Sequence, residues 1–441
     1  FTADGGTIKL DGNYPVGTSN VALGDAAGAA ITSGGRNTLI GGSAGDALTV
    51  GQRNVVIGTD ALSADTQGSR SVAIGQAALA NQNFTSATDN YNVAVGFQAG
   101  VNVSTGIKNT FIGGLSGDAT TTAEENTAVG YESMTTNTTG GDNSASGAYS
   151  LRMNTTGSNN AAMGYSALEQ NSTGGSNTAV GYKALEANTT ASYNTAVGFQ
   201  ALNGNTTGAG NNALGYQALT TNTTANYNTA FGHVALSLNV TGTENTAVGS
   251  QTMYNNTGNN NTAMGGTALY ANTSGANNVA MGVQALRYNT TASNNTAVGY
   301  QSLYDNTTGA NNIAVGNYAL SNNTTSNSNV AMGYAALETN TTGANNVAIG
   351  STALLSNTTA SNNTAVGHQA LYTNTTSTSN AAFGNKALHL ATGTLNTALG
   401  NGAGRDLSSG AKNTIIGAYG GNENGLDIRT SSNNIVLSDG D

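Results

Sequence analysis

Cysteine and tryptophan are absent from the 441 residues, and Pro15 is the only proline. Without cysteine there can be neither a disulfide framework nor a thiolate metal site. Charge is scarce too. Lys, Arg, Asp and Glu together make up 8% of the chain, against about a quarter in an ordinary globular domain. The formal charge of −10 provides no basic face, so nucleic acid is not an expected partner, and no polybasic segment suits an anionic membrane surface. No apolar run approaches the ~18 residues of a membrane-spanning helix, so no membrane insertion is expected. Disordered chains are usually rich in proline and charge, and this one is poor in both. The chain starts at Phe1 rather than Met and shows no signal peptide, which reads as a processed or excerpted piece of something longer.

What is abundant is glycine, with 61 residues, and it recurs at a fixed interval. Internal periodicity decides the fold when it is present. Residues 177–193 read NTAVGYKALEANTTASY, and the next unit opens at Asn194 with NTAVGFQAL. The glycine ending each NxAVG segment serves as an anchor, from Gly24 through Gly130, Gly181, Gly198, Gly232 and Gly299 to Gly417. Of the 23 gaps between these anchors 20 are 17 residues, two are 16 and one is 21. A degenerate twenty-fifth unit, NNIVLS, follows.

The columns of the repeat have different chemistries. Four residues before the anchor stands Asn, as at Asn126, Asn177, Asn194, Asn228 and Asn295, with Ser71 the exception. Two before is usually Ala, one before a large apolar side chain, and four after usually Leu. Seven after is Asn in fifteen successive units, from Asn137 to Asn374, generally followed by Thr-Thr. Seventeen residues cannot hold two real helices, whereas NTAV-like runs bounded by Gly and Asn have the composition of short strands. Each unit therefore predicts one coil: a strand, a bend at the anchor glycine, a short apolar segment, a second strand through NTT, and a turn. The fold class is all-β, a parallel β-solenoid or β-roll of about 25 coils, with Asn and Thr hydrogen-bond ladders and a core of Val/Ile and Leu columns. At ~4.8 Å per coil the stack is a rod of roughly 120 Å. The core is thin, which favours burying a second face against partner chains as a parallel homotrimer. A monomeric triangular β-helix is the rival arrangement.

Four zones follow from the pattern: residues 1–19 as a junction or cap, 20–125 as irregular Gly-rich coils, 126–390 as regular shaft coils, and 391–441 as irregular coils and a second junction. Capping repeats at solenoid ends are one reason for such zoning. The four extra residues within 81–91 are expected to protrude as a loop.

At these columns the sequence resembles two families. The NxAVGxxA pattern of residues 177–184 is similar to the head repeats of trimeric autotransporter adhesins, which are left-handed parallel β-rolls associating as three chains. The longer unit, with NTAVGYQAL-like and NTTG strings, NTFIGGLSGDATT and the C-terminal NNIVLSDGD, looks more like the shaft of bacteriophage tail fibres, especially those of marine phages. The resemblance covers about 420 residues. It implies a left-handed roll, a homotrimer joined to other fibre or virion proteins at its ends, an extracellular place on the virion, and a role in host attachment. A segment like NNIVLSDGD commonly precedes a chaperone that trimerises the fibre and is cleaved away; no such domain, barrel anchor or coiled-coil stalk is in this sequence. The alternative is a bacterial cell-surface adhesin or extracellular filament with the same fold.

Catalytic material is sparse, and neither enzyme activity nor a cofactor is expected. The only histidines are His233, His368 and His389, the first two after anchor glycines in distant coils, and no carboxylate or Cys cluster supplies metal-ligand spacing around them, so no metal site is expected. GGSAGDA and GLSGDA lack the Lys-Ser/Thr ending of a phosphate-binding loop. The recurring Asp of calcium-binding β-rolls is missing from the shaft. The Asn-Thr-Thr strings at Asn137, Asn188 and Asn306 match the N-glycosylation pattern, though ladder chemistry accounts for them. Arg36, Arg53 and Arg70 share a column in which like charges repel, so pairing with Asp residues or solvent is expected, with a receptor anion as the alternative. An ice-binding face would need a flat double row of Thr, and here one Thr per coil is expected to face outward. The most suggestive column is tyrosine directly after the anchor, at Tyr131, Tyr165, Tyr182, Tyr216, Tyr300 and Tyr334. Such a column could contact a host-surface glycan or serve cross-coil packing.

Overall fold

The computed structural model describes residues 17, 19–423 and 425–438, together with two short strands, Ala3–Asp4 and Thr7–Ile8, paired antiparallel. The expected N-terminal junction thus lies largely outside the described residues. The chain divides into two compact units, Phe1–Ala209 and Gly210–Asp441. Each is a parallel β-solenoid with a 17-residue period, about 24 turns in all, and no helix occurs among the described residues.

A coil contributes one three-residue strand. In the first unit Thr178–Val180 pairs in register with Thr195–Val197, Thr to Thr, Ala to Ala and Val to Val. In the second, Thr229–Phe231 pairs in the same way with Thr246–Val248. Identical columns therefore stack, as the period demands. The expected second strand through NTT is not formed. That segment bends, and its backbone still reaches the next coil, with Thr189 N–H donating to Thr206 O at 3.0 Å. Its threonine hydroxyl does the same at 3.1 Å. The insertion in residues 81–91 forms a short pair with the coil before it, Gly68–Ser69 against Thr88–Asp89.

The core differs from the expected one in a way the strand period explains. Side chains alternate across a strand, so the central residue points inward and its neighbours outward. Ala179, Ala196 and Ala247 are fully buried, whereas the aliphatic residue after them is half-exposed or exposed, as at Val129, Met163 and Ile349. The interior is thus filled by the strand Ala, a second Ala three after the anchor such as Ala184, and Leu four after it such as Leu185. The Val/Ile column expected inside lies on the outer face of the strand. The irregular coils keep the same interior volume by exchanging sizes. Leu39, Phe111 and Ile415 replace the strand Ala, and glycine stands where Leu would be: a Cβ on Gly117 would lie 2.4 Å from the Phe111 ring, and one on Gly404 2.9 Å from Ile415. Packing complementarity of this kind explains why those coils are Gly-rich.

Backbone conformation is the other determinant. The anchor Gly181 has φ 135°, and a Cβ there would sit 2.4 Å from the carbonyl oxygen of Gly198 in the next coil. Left-handed conformations recur at Lys183 (φ 54°), Leu185 (φ 52°) and Tyr193 (φ 64°), the positions two and four after the anchor and five before the next. They turn successive peptides in opposite directions. Lys183 N–H donates to Tyr165 O of the preceding coil at 2.9 Å, and Leu185 N–H to Ala201 O of the following coil at 3.0 Å. Left-handed non-glycine residues cost roughly 1–2 kcal/mol each, which the inter-coil hydrogen bonds and the buried leucine offset.

Candidate functional site

Two buried asparagine ladders run through the coils. Asn177 accepts from Asn194 N–H at 3.0 Å and donates to Ala191 O at 2.9 Å and Asn160 Oδ1 at 3.2 Å. Asn188, seven after the anchor, donates to Asn171 Oδ1 at 2.8 Å and to the same Ala191 carbonyl at 3.0 Å. Asn126, Asn228 and Asn295 repeat the first pattern, donating to Gly140, Gly242 and Gly309 carbonyls. All are structural and fully buried, as are Asn137, Asn188 and Asn306 of the glycosylation-like strings. An oligosaccharide cannot be attached to these three in the folded chain.

The first ladder has one departure, beside the coil that inserts extra residues, and there the second ladder also lacks its asparagine. Ser71 replaces the first asparagine, Asp65 and Gln82 the second. Gln82 Nε2 bridges the gap, donating to Asp65 Oδ2 at 2.7 Å and Ser71 Oγ at 3.0 Å while its Oε1 accepts from Asn92 Nδ2 at 2.8 Å. Asp65 Oδ1 accepts from Gly68 N–H at 2.9 Å and Phe84 N–H at 3.2 Å. Burial raises its carboxyl above the ordinary value, and these donors oppose the rise. A folded-state value above the unfolded one makes its contribution largest in acid and lost as pH rises through the folded value. The stability of the native chain relative to Asp65→Asn is therefore expected to fall as pH rises above the ordinary carboxylate value of about 4, read from denaturant midpoints. A relative stability that rose with pH would contradict this.

The tyrosine column after the anchor is exposed, with Tyr131, Tyr182 and Tyr334 at 49%, 43% and 56%. Its rings pack on one another. Tyr165 and Tyr182 stack at 5.5 Å, Tyr182 and Phe199 at 5.2 Å, and Tyr216 and His233 at 5.2 Å. Tyr300 meets Tyr318 edge-on, as does Tyr334. In the stacked run the ring faces are turned to neighbouring coils and the edges to solvent, an arrangement suited to bracing the stack. Of the arginine column, Arg70 pairs with Asp89 at 2.9 Å and lies over Tyr91, while Arg36 and Arg53 are exposed. His233 stacks on Tyr216 and His389 on Tyr372, and no group of three metal-ligating side chains occurs among the described residues.

A second aromatic group escaped the sequence reading. Five residues after the anchor, four successive coils carry Tyr254, Tyr270, Arg287 and Tyr304, and Tyr288 adjoins Arg287. Tyr254 and Tyr270 stack at 5.4 Å, and Tyr288 meets Tyr304 edge-on at 5.0 Å. The Arg287 guanidinium lies over both Tyr270 and Tyr288, 6.0 and 5.4 Å from the ring centres. The signal was the 16- and 17-residue spacing of these tyrosines, interrupted by the arginine in the middle.

The third outward-facing feature is the strand face itself. In every coil but that of Ser146, the residue before the anchor is a large apolar side chain, and no charged residue occurs in any of these strands. Met163, Leu214, Phe231, Met281 and Leu399 are 40–59% exposed there. Scanned against models of known families, the chain matches none, and it matches no curated protein.

Proposed function

We propose that this chain is the elongated shaft of a bacteriophage tail fibre, a parallel homotrimer that holds a host-attachment element away from the virion. The observation that carries the reading is the uncharged apolar strand face. A column of half-exposed aliphatic side chains repeated coil after coil is far more apolar surface than a soluble monomer usually leaves uncovered. In a parallel copy of the chain each coil meets its own counterpart at the same level, so like meets like, and three copies close the arrangement. Beside the tyrosine column the surface is rich in Asn, Thr and Ser, which keeps such a fibre soluble with little charge. The reading is structural: a rod stiffened by ladders, whose surface contacts add by avidity. Partners are two further copies of the chain, fibre or virion proteins at its ends, and a glycan of the host surface; the place of action is extracellular, on the virion.

The test is charge on the strand face. Met163→Glu together with Met281→Glu changes two exposed side chains, which in a monomer costs no more than about 0.5 kcal/mol each. In the trimer, like charges from three copies meet in an apolar interface. Sedimentation is expected to show a trimer for the native chain and a folded monomer for the double variant. A native monomer, or a variant that sediments as the native chain does, would contradict the proposal.

A further inference from the structure

Among the described cations, Arg70, Lys108, Arg152, Lys183, Arg405 and Arg429 all have carboxylate partners. Arg287 has none, and its buried Nε–H lacks a hydrogen-bond partner. It is the one unpaired cation flanked by aromatic rings on two sides. Asp305, one residue after Tyr304, forms no ion pair with it. A guanidinium fixed between tyrosines loses little side-chain freedom on binding, and its planar fork matches a carboxylate in bidentate fashion. Beside it Tyr288 is 40% exposed, and its hydroxyl lies 3.5 Å from that of Tyr304. Aromatic surface, two phenol hydroxyls and one cation are the complement of a pyranose bearing one carboxylate. A phosphate, with more charge and more acceptors, generally calls for several converging donors, and an acidic peptide would gain nothing from the ring pair.

We propose that Arg287, with Tyr270, Tyr288 and Tyr304, binds a carboxylated sugar unit of an acidic surface polysaccharide. The carboxylate meets the guanidinium, the sugar ring lies against Tyr288, and the phenol hydroxyls of Tyr288 and Tyr304 bond to ring hydroxyls. One such site per chain is weak, and copies side by side in a fibre multiply it. The inference rests on the attachment reading above, and the two fail separately, because sedimentation addresses the shaft and glycan titration addresses this site.

The experiment titrates the full chain with trigalacturonate, with 3′-sialyllactose, and with trigalacturonate fully methyl-esterified, which keeps the rings and removes the charge. Binding of at least one acidic probe is expected, with the ester bound at least ~10-fold more weakly, the factor expected from losing a charge-assisted bidentate contact. Which acidic probe is preferred separates uronate from sialate as the source. Arg287→Gln and, independently, Tyr288→Ala are each expected to weaken binding by a similar factor at unchanged melting temperature, while Arg53→Gln leaves it unaltered. The proposal is overturned if neither acidic probe binds, if the ester binds as well as the acid, if Arg287→Gln and Tyr288→Ala bind as the native chain does, or if Arg53→Gln weakens binding equally, which would indicate nonspecific attraction of polyanions.

Discussion

Replacing Gly181 by Ala is expected to destabilise the first unit by about 4 kcal/mol or more, although the change adds a single methyl group. Two costs combine. At φ 135° a residue with a Cβ occupies a region that essentially only glycine tolerates, and that Cβ would lie 2.4 Å from the Gly198 oxygen and 2.7 Å from its carbonyl carbon. Those atoms are backbone, so relief requires the neighbouring coil to move rather than a side chain to rotate. Because each coil touches only its neighbours, the damage is expected to be local. Hydrogen exchange should accelerate most in the coils around Gly164, Gly181 and Gly198, and the denaturant midpoint should fall. By contrast Gly266, whose Cβ would have open space around it, is expected to accept Ala with a change of about 0.5 kcal/mol or less. Equal effects at the two glycines would show that the coil contact is softer than the geometry indicates.

The second large effect is expected at two adjacent asparagines given the same substitution. Asn312 is fully buried; it accepts from Asn329 N–H at 2.9 Å and donates to Ser326 O at 2.8 Å. Asn312→Ala leaves the Asn329 N–H buried without an acceptor, at about 1–3 kcal/mol, and opens a cavity. The sum is expected to be about 3 kcal/mol. Asn311 is exposed at φ 60°, and Asn311→Ala loses only the tolerance of asparagine for that conformation, about 1 kcal/mol or less. Paired denaturation curves decide it, and comparable losses at the two positions would remove the ladder from the account of stability.

How much of this was legible in the sequence differs by column. The coil, its period and the asparagine ladders follow from spacing alone, because an in-register stack of identical units has few other solutions. The special backbone at the anchor followed from glycine's unusual freedom. The left-handed conformations at Leu185 and Lys183 did not, since neither residue favours them and inter-coil hydrogen bonding imposes them. The second strand through NTT was misread because Thr-rich composition suits a strand, while the turn toward the next coil needs a bend. The strand period should have placed Val180 outside once Ala179 was inside; reading aliphatic character as burial reversed the two. Of the candidate sites, the Tyr165–Tyr182 column was visible as a repeat. The Arg287 cluster was masked by its own centre, where an arginine interrupts the tyrosine column.

The central claim is that the strand face is covered by further copies of the chain, and the mass of the native particle in solution tests it most directly. Light scattering on the eluting species should give about three times 43.8 kDa, unchanged on moderate dilution, as expected of an interface with a continuous apolar core. A particle of 43.8 kDa would contradict it, leaving a solenoid that keeps its apolar strand face in water as a single chain.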